Sequence, residues 1–224
     1  MSEDVSCNRL RVAKSFLKGA LRFGTVLKHQ WFLEAGFGTG SVARAVDPRD
    51  LYGAVWVKGG VCDLPLVRQR LLGWISSRCI RGACIIMPRR NLHPHFTNLA
   101  RLILCASQVG CPAVLVDPRP KPLREACSVL GPLLEFPNAQ TTVVSPCRFQ
   151  QGAPHQDCLI LTFNCSWRPI SALPCLHTDE YRSSPRQDNP HVRLGLRLSE
   201  AVAGWIRNSA EQVTDSHLLR VISS

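Results

Sequence analysis

Glu34, Gly36, Gly38 and Gly40 stand at alternate positions in the stretch Phe32-Leu33-Glu34-Ala35-Gly36-Phe37-Gly38-Thr39-Gly40. Glycines accept positive φ and let the backbone come close to a ligand. The spacing is G-x-G-x-G, which differs from the G-x-G-x-x-G of dinucleotide binders. A carboxylate just before the glycines repels a pyrophosphate and suits a ligand carrying positive charge. A tight turn with no ligand accounts for the same glycines. Thiols are the other reactive groups. The chain has 11 cysteines, none of them in a C-x-x-C pair. In that pattern free or buried thiols are the expectation. Cys158, Cys165, Cys175 and His177 form the best metal candidate, but their spacing departs from paired zinc knuckles. Cys147, in Ser145-Pro146-Cys147, is a nucleophile only if its pKa is lowered. Cys84 reads as a core thiol. His93 and His95 flank Pro94 and read as loop histidines that could line a cleft.

The elements that must position these groups alternate. Short apolar runs at 31–35, 53–57, 83–87, 112–116, 141–144 and 158–163 predict strands. Helical spacing predicts helices over 8–29, 41–46, 64–78, 96–109, 122–134 and 196–213. The polar segment 179–192 predicts a surface loop. Apolar five-residue strands alternating with amphipathic helices predict a single α/β domain built on a doubly wound, mostly parallel sheet. We divide the chain into an N-terminal helical extension (1–30), the α/β domain (31–213) and a C-terminal tail (214–224).

The chain has 224 residues and a net charge of +11. Its middle segment, 64–125, carries +8 of that excess. A basic surface of this kind attracts the phosphate backbone of DNA or RNA; a solvated basic face without a partner fits the same count. No apolar run reaches the ~18–20 residues needed to span a bilayer, and the first 30 residues hold no signal-peptide core. We therefore expect an intracellular protein that is not secreted, with a nuclear or organellar address equally compatible with the sequence.

The glycine motif, taken together with the segments C-terminal to it, resembles the S-adenosylmethionine-dependent class I methyltransferases, which open with E/D-x-G-x-G-x-G. The order of the glycine turn, Asp63-Leu64, "CIIMPRRN", "GCPAVLVDP" and "CRFQQGAPHQDCLILTFN" is similar to the catalytic domain of DNA cytosine-5 methyltransferases. It is nearest to the divergent domains of mobile-element polyproteins. The resemblance covers residues 30–210 and implies a Rossmann-like methyltransferase fold. It implies that Glu34, Gly36, Gly38, Thr39 and Gly40 hold the cofactor's amino-acid end and that Asp63 faces its adenine.

Three departures go with it. The family has an acid after its second strand for the ribose hydroxyls, where this chain has Lys58. It has a nucleophilic cysteine where this chain has Arg89. It has a glutamate where this chain has Val116, followed by Asp117. Without a thiolate, covalent activation of cytosine C6 is lost. The resemblance therefore implies a weak or inactive methyltransferase-like domain. The alternative is a nucleic-acid-binding or interaction module, with Arg89, Arg90, Arg119 and Lys121 as contacts.

Overall fold

The computed structural model describes residues 31–46, 53–89, 95–119, 130–137, 139–149, 157–165, 176, 192 and 194–222. The predicted helix over 8–29 lies outside them, as does almost all of the 179–192 segment. Six strands form one sheet: β1 (Trp31–Gly36), β2 (Ala54–Lys58), β3 (Ile80–Ile86), β4 (Ala113–Asp117), β5 (Ala139–Val144) and β6 (Cys158–Phe163), in the order β2-β1-β3-β4-β6-β5. Neighbours from β2 to β4 pair in parallel, and β6 runs antiparallel to both β4 and β5. This is the doubly wound, mostly parallel sheet that the apolar runs predict.

The helices are α1 (Ser41–Val46), α2 (Gly59–Cys62), α3 (Pro65–Ser76), α4 (His95–Gln108), α5 (Leu130–Leu134) and α6 (Leu196–Ile222). The central strands are buried on both faces, which explains why they read as unbroken apolar runs. Side chains alternate between two cores. Leu33, Ala83, Ile85 and Leu115 pack with Val67, Leu71 and Ile75 of α3 and Leu99 and Ile103 of α4. Phe32, Cys84, Val114 and Val116 pack with Val42 of α1 and Leu198, Val202 and Ile206 of α6. Two cores, one per face, make three layers. The boundary expected at 213 falls inside α6, which runs on to Ile222.

The helix ends explain how the chain returns to the sheet. Pro65 opens α3, where its missing N–H costs nothing. Both α3 and α4 close with the paired bonds of a Schellman motif. In α4 the left-handed residue is Gly110 (φ 74°), with Gly110 N–H on Ser107 C=O and Cys111 N–H on Ala106 C=O. In α3 that place is taken by Arg78 (φ 57°), with its N–H on Ile75 C=O and Cys79 N–H on Trp74 C=O.

Candidate functional site

The chain leaves β1 toward β2 on one side and returns to β3 on the other. The carboxyl ends of β1 and β3 therefore flank the crevice where open α/β sheets bind ligands. The strand register sets Lys58, Gly36, Ile86 and Val116 in one row across this end of the sheet. The glycine turn, the Met87-Pro88-Arg89 turn and the end of β4 thus lie side by side.

The glycine turn is fixed by close packing. Gly36 has φ 104°, and a Cβ there would lie 2.2 Å from the Ile86 carbonyl oxygen. Phe37 N–H donates to that same oxygen at 2.8 Å. A Cβ on Gly38 would lie 2.2 Å from Glu34 Oε1, and one on Gly40 2.9 Å from the Trp56 ring. Only glycine fits these three places without movement.

Glu34 turns inward. It is buried, and it accepts hydrogen bonds from Gly40 N–H (2.8 Å) and Ala43 N–H (2.9 Å). Burial raises its pKa above the usual carboxylate range, while the amides of Ala43, Gly40 and Val42 and the charge of Arg44 oppose that shift. The sequence suggested an acid facing a cationic ligand; the structure shows a carboxylate spent on the first turn of α1. Arg44 arches back so that its Nη2 donates to the Thr39 carbonyl at 3.2 Å.

Asp63 sits in a network that sequence reasoning missed. It pairs with His95 Nδ1, and its other oxygen accepts from Asn98 Nδ2 at 2.9 Å. Asn98 in turn accepts from Arg68 Nη1 at 2.8 Å. His95 meets the Phe37 ring edge-on, with centroids 5.4 Å apart. These partners come from α3 and α4, 32 and 35 residues away in the case of Asp63, so no local spacing signals them.

The residues that the sequence resemblance sets at the family's catalytic positions are placed as follows. Arg89 is half-buried at the end of the β3 turn. Val116 is fully buried in the core beneath α6. Asp117 faces the other layer, where Arg119 clamps it through Nε (2.7 Å) and Nη2 (2.9 Å). The Arg119 guanidinium also lies 4.2 Å from the Phe96 ring centroid. Arg119, expected as a nucleic-acid contact, is instead 0% exposed, so the surface it was assigned to does not include it. Arg90 and Lys121 lie outside the described residues.

The thiols are placed as follows. Cys84 is buried within β3, and burial, then the charge of Glu34, pushes its pKa well up. Burial carries Cys62 and Cys111 to about 12. Such thiols do not ionise near neutral pH and are not nucleophiles. Cys147 lies in a 3-10 turn after β5, with its Sγ 3.1 Å from Ser145 Oγ. Cys158 and Cys165 stand at opposite ends of β6, roughly 20 Å apart on an extended strand. They cannot share an ion. Cys175 and His177 lie outside the described residues, among which no group of three metal-ligating side chains forms. No helix among them is long and apolar enough to cross a membrane.

No protein-family model matches the chain, and no curated protein matches it. Among solved structures it is similar to the Dnmt2 methyltransferase of S. pombe, at 8% identity and a TM-score of 0.39 over 62% of this chain and 51% of that one. A mutant of Spodoptera frugiperda DNMT2 aligns at 14% identity and a TM-score of 0.40, over 64% and 53%. The Entamoeba histolytica methyltransferase EhMeth aligns at 11% and 0.39, over 67% and 58%. The chain thus spans 51% to 58% of the length of these structures.

Proposed function

We propose that this is a degenerate methyltransferase-like domain, related to the DNA cytosine-5 methyltransferases and lacking their covalent chemistry. One observation carries the reading. The position where a glutamate would assist the cytosine ring is Val116, sealed in the core, next to an Asp117 already clamped by Arg119. With Arg89 in place of a thiolate, neither the nucleophile nor its acid partner is present.

The glycine turn remains the place for S-adenosylmethionine. Gly36, Gly38, Thr39 and Gly40 would lie along the cofactor's amino-acid end, and Asp63, held by His95 and Asn98, near its adenine. Lys58 stands beside Gly36 where an acid would take the ribose hydroxyls. The reading therefore expects weak binding. Calorimetric titration with S-adenosylmethionine tests it. Gly38→Asp, which drives a carboxylate against Glu34, abolishes the heat while circular dichroism shows a folded chain. Lys58→Asp restores the ribose partner and strengthens binding by about tenfold or more, because a hydrogen bond to a charged group contributes about 1.5–3 kcal/mol. No heat from any variant removes the cofactor from the account.

A second reading is a nucleic-acid-binding module on the same fold. It is favoured by the sequence between Leu64 and Val116, which holds seven arginines and no aspartate or glutamate. Phosphate contacts of this kind dominate nucleic-acid affinity.

A further inference from the structure

The outward face of α3 takes no part in the cleft. Val67, Leu71 and Ile75 point into the core. Leu66, Gln69, Arg70, Gly73 and Ser77 lie away from that core face, Trp74 stands at its flank and packs partly against the core, and together they line a surface groove of about 600 Å³. Three features of this groove and one residue beside it belong together.

Trp74 is half-buried and propped edge-on by Trp31, with centroids 5.4 Å apart and planes at 67°. That fixes an indole at the groove wall. Gly73 forms the floor, and a Cβ placed there would meet nothing within 4 Å. Arg70 has its Nε buried and without a hydrogen-bond partner, although the side chain lines the groove. Arg78 is exposed just past Ser77, held in the left-handed conformation that closes α3.

The stretch of sequence that carries α3 is basic. No acid lies between Leu64 and Val116, and every formally charged residue there is an arginine. The two carboxylates that bound this stretch are both engaged, Asp63 by His95 and Asn98 and Asp117 by Arg119. An aromatic wall beside planar cations suits a base stacked on the indole, with its phosphates on the arginines. A duplex offers phosphates here but keeps its base faces stacked inside.

We propose that the α3 face binds single-stranded nucleic acid, with a base stacked on Trp74 and the flanking phosphates held by Arg70 and Arg78. This rests on the nucleic-acid reading above and moves the contact away from the strand ends.

The test is fluorescence anisotropy of the full chain with labelled dT12, U12 and a dT12·dA12 duplex, across a salt series. Arg70→Glu and Gly73→Leu are the main variants; both side chains lie outside the core, and a thermal melt confirms folding. Single strands bind more tightly than the duplex. Each variant weakens single-strand binding by about tenfold or more, and Arg70→Gln lowers the salt slope by about 1. The dT12 and U12 arms show whether DNA or RNA is preferred. Equal affinity for single strand and duplex, unchanged by Gly73→Leu, overturns the stacking assignment. Binding that survives Arg70→Glu and Gly73→Leu but is lost in Arg89→Glu overturns the α3 placement and leaves the broader reading standing. No binding of any probe by the wild-type chain overturns both.

Discussion

A cysteine placed at position 89 would sit at the rim of the cleft, but its partner position would still be a buried valine. Arg89→Cys alone therefore yields no cytosine-5 methylation in an assay with labelled S-adenosylmethionine; measurable 5-methylcytosine would contradict this. Adding Val116→Glu does not repair the site. It puts a carboxylate into the core beneath α6, and the double variant loses about 3 kcal/mol or more of stability in a denaturant titration. Glu34 gives a second test. Its folded pKa is raised, so between about 4.5 and that raised value the folded state binds more protons than the unfolded chain. Stability from this group is therefore highest in acid and declines as pH rises through that window. In Glu34→Gln the decline is absent, whatever the absolute stability; an unchanged stability–pH profile would count against the buried, raised carboxylate. At this scale the glycines were legible, because their steric need is written in their type. The burial of Arg119 was not, because the Phe96 ring it stacks on comes from α4, more than 20 residues earlier in the chain.

Strands and helices were far more legible than side-chain partners. A strand buried on both faces is mostly apolar, and β1, β3 and β4 announce themselves that way despite Glu34, Arg81 and Asp117. The end of α6 was hidden for the opposite reason: its sequence turns polar over Thr214-Asp215-Ser216-His217 before apolar residues return, and a polar turn alone does not end a helix. The close of α3 was hidden as well, since Arg78 stands where a helix usually has glycine. An arginine in the left-handed region costs about 1 kcal/mol relative to glycine. Arg78→Gly therefore raises the melting temperature by several degrees, and Gly110→Ala, the converse change at the end of α4, lowers it. If Arg78→Gly destabilises the chain, the Schellman assignment is wrong. Were the α3 groove to work as proposed, the same substitution would weaken single-strand binding while it stabilises the fold. That is the pattern expected where strain is kept for function.

Across the whole molecule, the sheet order brings together what the sequence scattered. The glycine turn, Asp63, Arg89 and the end of β4 meet at the carboxyl edge where the strand order reverses. Composition alone foresaw the basic middle segment, and among the described residues the fold distributes its arginines over α3, β3, α4, the cleft rim and one buried clamp. On the proposed reading the frame is methyltransferase-like, and the residues at its catalytic positions, Arg89 and Val116, offer neither a thiolate nor an acid. The most direct test is covalent trapping. An oligonucleotide with 5-fluorocytosine in place of cytosine, incubated with the chain and S-adenosylmethionine, captures any enzyme that adds a thiolate to C6 and transfers the methyl group. The account predicts no complex stable in denaturing gels. A stable adduct, mapped by mass spectrometry to Cys147 or any other cysteine, would contradict it.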